Sequence, residues 1–186
     1  MRLPQSGGCQ CGLLRYEITE APRLAYACHC RDCQRLSGSA FGLAVLVPAE
    51  GFRLLRGEVL SYQRRTDSGR VSTRWVCAAC GCWINGGARP GTAAPGTLVA
   101  VRAGTLDETG WVRPRVHFFT RSAQPWVGLA ADTLRYATQP EGFTWQLVLD
   151  ALRARDGLTA ASPDPAQAAA TRGRVTEDAR ERNPGR

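Results

Sequence analysis

Eight cysteines gathered into three tight groups constrain this 186-residue chain more than any other feature. The groups are Cys9-Gln-Cys11, Cys28-His-Cys30-Arg-Asp-Cys33 and Cys77-Ala-Ala-Cys80-Gly-Cys82. A C-x-C pair in extended chain throws both sulfurs to one face. A C-x-x-C turn followed by glycine curls two sulfurs about one point, because glycine permits tight backbone curvature. Two such pairs, distant in sequence, make a four-thiolate tetrahedral site of the closed, structural kind. Cys9, Cys11, Cys77 and Cys80 fit that description. Cys28, Cys30 and Cys33 then supply three thiolates, and three protein ligands leave a fourth position open for chemistry. Two other readings stand beside this one. Cys82 could close a second structural site, or the thiolates could form disulfides on oxidation as a redox switch. In extended geometry His29 points away from the Cys28/Cys30 face, so packing or hydrogen bonding is its expected role.

Charge narrows the chemistry. The net charge is +8 and every basic residue is arginine, which excludes lysine Schiff-base catalysis. Arginine forks suit carboxylates and phosphates. The plain reading of the charge is a solvated surface with a basic tail. No apolar run reaches membrane-spanning length, and MRLPQSGGCQCG lacks a secretory apolar core. The expectation is a cytoplasmic protein with no membrane partner. In a reducing compartment the cysteines are metal ligands rather than disulfides, and zinc is the expected metal.

Residues 13–19, 40–48, 59–65, 70–77, 97–106 and 115–120 read as strands, rich in branched and aromatic side chains and separated by glycine, proline or polar turns. In the fourth of these, Val71, Thr73, Trp75 and Cys77 share one face. The pattern predicts a mainly β, antiparallel architecture. One helix is predicted in FTWQLVLDALRARDG, where Trp145, Val148, Leu149 and Leu152 recur at helical spacing and Gly157 is the stop. The predicted organisation is a zinc-binding domain over 1–140, a helix packed on or beside it over 141–157, and a tail over 158–186. The tail has too few large apolar residues to offset the entropy of ordering, and it reads as disordered.

The ordered set GGCQCGLLRYEI, YACHCRDCQRLSGSAF, GEVLSY, RWVCAACGCWI, VRAGTLDE, PRVHFF and PWVGL, over about residues 5 to 140, resembles the glutathione-dependent formaldehyde-activating enzyme family, which includes the centromere protein V type domain. The resemblance implies a tent-like arrangement of small antiparallel sheets stapled by two zinc ions per chain. It implies a structural zinc on Cys9, Cys11, Cys77 and Cys80, and a catalytic zinc on Cys28, Cys30 and Cys33. It also implies a carbon–sulfur lyase activity, the reversible formation of S-hydroxymethylglutathione from glutathione and formaldehyde. Cys82 departs from the family's usual small hydroxyl residue after C-x-x-C-G.

Arg31 and Arg35, nearest in sequence to the three-cysteine run, are the candidates to receive glutathione's carboxylates, with a solvated surface as their plain alternative. His117 could serve as a general acid or base, though a hydrogen-bonded structural histidine is the simpler reading. Asp32 could support the ligands or face water. A small thiol such as glutathione is the expected partner. A non-catalytic zinc-stapled module for a small thiol or nucleic acid is the alternative, ranked lower because no nucleic-acid motif with interleaved aromatics is present. A redox or zinc-storage role is a third.

Overall fold

The computed structural model describes residues 1–66 and 69–157. The predicted tail over 158–186 lies outside the described residues. Among these residues the fold is mainly β, with eleven strands in two sheets and two α-helices. Met1–Leu149 forms one compact unit, and a second unit begins at Asp150. In the second unit the described part is the end of the C-terminal helix, where Arg153 pairs with Asp150 at 3.0 Å.

The smaller sheet joins β1 (Gln5–Gly8), β2 (Arg15–Ile18) and β5 (Phe52–Arg56) in the order β1-β2-β5. The larger sheet uses β3 (Leu24–Cys28), β4 (Gly42–Pro48), β6 (Val59–Arg65), β7 (Val71–Cys77), β8 (Trp83–Gly86), β9 (Leu98–Arg102), β10 (Val116–Phe118) and β11 (Leu134–Tyr136). Their order is β11-β10-β3-β4-β9-β8-β7-β6. The strands expected over 97–106 and 115–120 are shorter than predicted. The first turns into a 3-10 helix at Ala103–Thr105, and the second stops where Phe119 adopts a left-handed φ of 57°.

The pairing is antiparallel, as expected, except at one edge. β10 runs parallel to both β3 and β11. Three-residue strands need few ladder bonds, so β10 is held as much by its burial as by pairing; Val116 is fully buried and Phe118 nearly so.

The core lies between the two sheets. Tyr16, Ile18 and Phe52 from the smaller sheet meet Val45, Val47, Val99, Val101 and Ile84 from the larger one. Alternation along β9 sends Val99 and Val101 into this core and Ala100 and Arg102 to the opposite face. The registers place Arg102 opposite Ala44, Ala44 opposite Tyr26, and Tyr26 opposite Val116, so one row of that second face is fixed.

An irregularity in the β7–β8 ladder sets what else stands there. Arg74 pairs with Gly86, Trp75 with Asn85 and Val76 with Trp83, so Ile84 is the extra residue of a bulge. A bulge re-aims the side chains beyond it. Ile84 and Asn85 are both fully buried, and Trp83 turns to the same face as Arg74 and Arg102.

Helix α1 (Arg31–Ser37), which periodicity did not predict, bridges β3 and β4 and ends on Gly38 in the left-handed region at φ 59°. Helix α2 (Trp145–Arg155) begins beside Thr144, whose Oγ1 accepts from the Leu147 amide at 3.1 Å. It stops as expected at Gly157, φ 71°. Trp145 packs on Tyr26, Phe118 and Phe143, and Val148 is fully buried.

Candidate metal centres

The first centre is built by two tight turns. After β1 the chain reverses at Gly12, φ 76°, whose amide donates to the Cys9 carbonyl at 3.1 Å. The Leu14 amide donates to Cys9 Sγ at 3.2 Å. At the end of β7, Gly81 adopts φ 72° and its amide donates to the Cys77 carbonyl at 2.9 Å. These turns bring Cys9 Sγ within 3.3 Å of Cys11 Sγ, and Cys11 Sγ within 4.0 Å of Cys77 Sγ. The sulfurs of Cys9, Cys11, Cys77 and Cys80 all lie within 4.8 Å of one another. Disulfide sulfurs would sit about 2.05 Å apart, whereas sulfurs around a tetrahedral zinc at about 2.3 Å are separated by about 3.8 Å. The spacing suits a thiolate-bound zinc.

The second centre is local. Cys28 ends β3, Cys30 caps α1 and Cys33 lies in its first turn; the three sulfurs fall within 4.8 Å of one another. Cys30 Sγ accepts from the Cys33 amide at 3.4 Å. All three residues are half-buried thiols. Cys82 is elsewhere. It accepts from the Gln10 backbone and stands in the field of Cys80, Cys9 and Cys77, beside the first centre. The reading in which Cys82 closes the second centre is therefore not the arrangement the chain adopts.

The thiols of each centre behave as a group. Hydrogen bonds from Cys28 and Cys33 hold Cys30 far down, at about 2, while Cys30 and Cys33 push Cys28 far up. Cys33 is lowered by Cys28 but raised more by Cys30 and by burial, reaching about 12. At the first centre, burial raises Cys9, yet the Leu14 amide and the neighbouring sulfurs bring it down to about 6. The backbone of Leu13 lowers Cys11, but Cys9 and the other sulfurs drive it up to about 12. At the second centre one thiolate forms readily while both neighbours hold their protons more tightly; at the first, Cys80 is lowered like Cys9, by backbone hydrogen bonds from Cys82 and Cys11, and Cys11 is raised. A divalent cation removes that limit, so these donor sets call for one.

His29 and His117 stand behind the second centre. His29 Nε2 and His117 Nδ1 are 3.0 Å apart, and both residues are buried. His29 Nδ1 has no hydrogen-bond partner. A buried orphan acceptor costs less than a buried orphan N–H, which assigns the proton of His29 to Nε2 as donor to His117 Nδ1. Burial first, then the charges of His29 and Arg135, lower His117 to about 4, which keeps it neutral at neutral pH. The His29 amide also donates to the Phe118 carbonyl at 2.9 Å, tying the cysteine loop to β10.

Of the two arginines chosen by proximity in sequence, Arg31 is exposed and donates to Gln34 Oε1 at 2.7 Å, and Arg35 is exposed in the last turn of α1. The guanidinium that acts on Cys33 is that of Arg102, a residue sequence reasoning missed. A Cβ on Gly42 would meet Arg102 Nη2 at 2.7 Å and Cys33 Cβ at 3.2 Å, so all three crowd one point. Buried Gln34 was also missed; its amide donates to the His29 and Ser122 carbonyls at 2.7 and 2.9 Å and anchors α1. Asp32 pairs with Arg64 at 2.5 Å, linking α1 to β6.

Residues 4–122 match the glutathione-dependent formaldehyde-activating enzyme family. The chain belongs to that family. Its members' description supplies a glutathione-related, formaldehyde-activating function, and the two cysteine centres are consistent with zinc as the metal. No curated protein sequence matches the chain. Among solved structures it is similar to the crystal structure of a Rhodobacter sphaeroides protein, with 24% identity over 59% of this chain and 92% of that chain and a TM-score of 0.40. Among the described residues, no helix is long and apolar enough to cross a membrane.

Proposed function

We propose that the protein joins glutathione to formaldehyde or a related aldehyde, and splits the adduct in reverse as a carbon–sulfur lyase, at Cys28, Cys30 and Cys33. The observation that carries this reading is the half-buried cluster of three sulfurs within 4.8 Å of one another, with no fourth cysteine among them. Zinc held by these residues would supply a cationic centre beside which a thiol ionises near neutral pH.

In the forward direction a bond forms between the glutathione sulfur and the aldehyde carbon. The carbonyl π pair moves to oxygen, which takes up a proton, and the thiol gives one up. The reverse step returns the thiol and the aldehyde. Arg102, beside Cys33, offsets part of the negative charge of three cysteinates. Half-burial of the cysteines limits the water that reaches the adduct. Gln34 fixes the helix that carries Cys33. Arg31 and Arg35 present two further forks on the exposed side of α1. Cys9, Cys11, Cys77 and Cys80 hold the structural metal, and a reducing cytoplasm suits the whole.

The test is calorimetric titration of glutathione into the zinc-loaded full-length chain, followed by NMR observation of adduct formation with labelled formaldehyde. Saturable binding and catalysed exchange that both vanish in Cys30→Ser are expected. No heat up to cellular glutathione concentrations, or exchange unchanged in Cys30→Ser, overturns the reading.

A further inference from the structure

Three arginines whose carboxylate partners are plain, Arg15 with Asp107, Arg64 with Asp32 and Arg113 with Asp132, contrast with two that have none. Arg74 is 7% exposed and its Nε is buried without a hydrogen-bond partner. Among the described residues no carboxylate lies within ion-pairing distance of Arg74 or of Arg102. Both guanidiniums sit over one aromatic ring. Arg102 Cζ lies 4.3 Å and Arg74 Cζ 5.2 Å from the centroid of Trp83. Tyr62 adds a second surface under Arg74, at 5.7 Å.

Burying Arg74 beside a second cation on one indole is unfavourable without a counter-charge, and the cysteine centre beside Arg102 offsets only part of the charge of the pair. Stacking on the ring returns part of the desolvation cost and does nothing for the mutual repulsion. An anion at the edge of the Trp83 ring, within reach of both guanidiniums, would lower both penalties. Arg102 also reaches Gly42 and Cys33, so the anion would stand next to the three-sulfur centre.

We propose that Arg74 and Arg102, set on Trp83, form a carboxylate-binding site beside Cys33 that receives an acidic end of the thiol substrate. This rests on the thiol reading of the Cys28–Cys30–Cys33 centre and adds its specificity. Planar guanidinium forks match a carboxylate in bidentate geometry, and the indole excludes water from one side. The site selects thiols that carry a carboxylate away from the sulfur and disfavours neutral thiols of similar size. Arg74 and Arg102 are specificity residues.

The decisive probe is S-methylglutathione, which keeps both carboxylates and lacks a free thiol. It is titrated into the zinc-loaded full-length chain by calorimetry and by following the Trp83 indole N–H resonance, assigned with Trp83→Phe. Saturable binding with a shift of that resonance is expected. Arg102→Gln should weaken binding about tenfold or more, the loss of a charge-assisted pair, and Arg102→Lys less. Arg74→Lys, which keeps the buried charge and removes the fork, should weaken it as well. Glutathione diethyl ester should bind weakly and lose nothing further in Arg102→Gln. Absence of saturable S-methylglutathione binding in the parent overturns the proposal. So does unchanged affinity in Arg102→Gln and Arg74→Lys proteins that keep the parent unfolding midpoint. If glutathione and S-methylglutathione bind equally, and Cys30→Ser leaves both unchanged while Arg102→Gln weakens both, the carboxylate site stands and the thiol reading falls.

Discussion

His29 Nε2 and His117 Nδ1 meet at 3.0 Å with their rings inclined by 25°, a neutral pair sealed behind the cysteine loop. Burial, His29 and Arg135 lower His117 from its ordinary 6.5 to about 4. Between those values the unfolded chain binds a proton that the native chain refuses. The native state therefore keeps its full His117 contribution above about pH 6.5 and loses it as pH falls towards 4. The slope approaches about 1.4 kcal/mol per pH unit. Urea unfolding of the parent and of His117→Gln, at pH 7.5, 6.5 and 5.5 with zinc held constant, should show the parent losing stability faster on acidification. Parallel pH profiles would show that His117 is not the group responsible.

The two cysteine centres should separate by their effect on stability. The first pins β1 to the end of β7, closing a long loop, whereas the second lies within six consecutive residues. Zinc analysis should give two ions per chain, falling to one in both Cys11→Ser and Cys30→Ser. Loss of the first centre should lower the thermal midpoint much more, because an entropy advantage is lost that a six-residue loop scarcely offers. Equal midpoints for the two variants would contradict the division into structural and reactive centres.

Gly42→Ala should disturb ligand binding with little change in metal content. The new Cβ would fall 2.7 Å from Arg102 Nη2, the far end of a flexible side chain, and 3.2 Å from Cys33 Cβ. Arg102 can swing away and Cys33 gives slightly. Glutathione affinity should drop several-fold while two zinc ions are retained. Full affinity, or loss of one zinc, would count against the placement of Arg102 beside the centre.

Gly7→Ala is the expected severe core variant. Its Cβ would lie 2.3 Å from the Tyr16 ring and 2.6 Å from the Thr105 carbonyl oxygen. Tyr16 is fully buried, and its hydroxyl is 2.8 Å from Thr105 Oγ1, so neither neighbour has room to yield. A destabilisation of about 3 kcal/mol is expected from overpacking, read as a shift of the urea midpoint. A midpoint within error of the parent would mean that Tyr16 can repack.

What could be read from the sequence was what is local. The C-x-C and C-x-x-C spacings fix sulfur direction within a few residues, and the positions of both centres follow from them. The helix from Trp145 and its stop at Gly157 rest on periodicity and on one backbone conformation. Helix α1 escaped because seven residues hold too few turns for a periodic signal. β10 was expected as an ordinary strand, yet it pairs in parallel with β3 and β11, which three residues of sequence cannot announce. Arg74, Trp83 and Arg102 come from three strands, and they share a face because of a bulge at Ile84 that no spacing rule forecasts. Choosing Arg31 and Arg35 instead followed nearness along the chain, which a folded sheet does not respect.

The second centre keeps all of its sulfurs in one short segment, while the charged and aromatic groups around it arrive from β6, β7, β8 and β9. Inheritance of the metal and inheritance of substrate preference are thus separate matters. Descendants of a common ancestor could exchange the arginines and tryptophan strand by strand, diversifying what they accept, while the cysteine segment passes on unaltered.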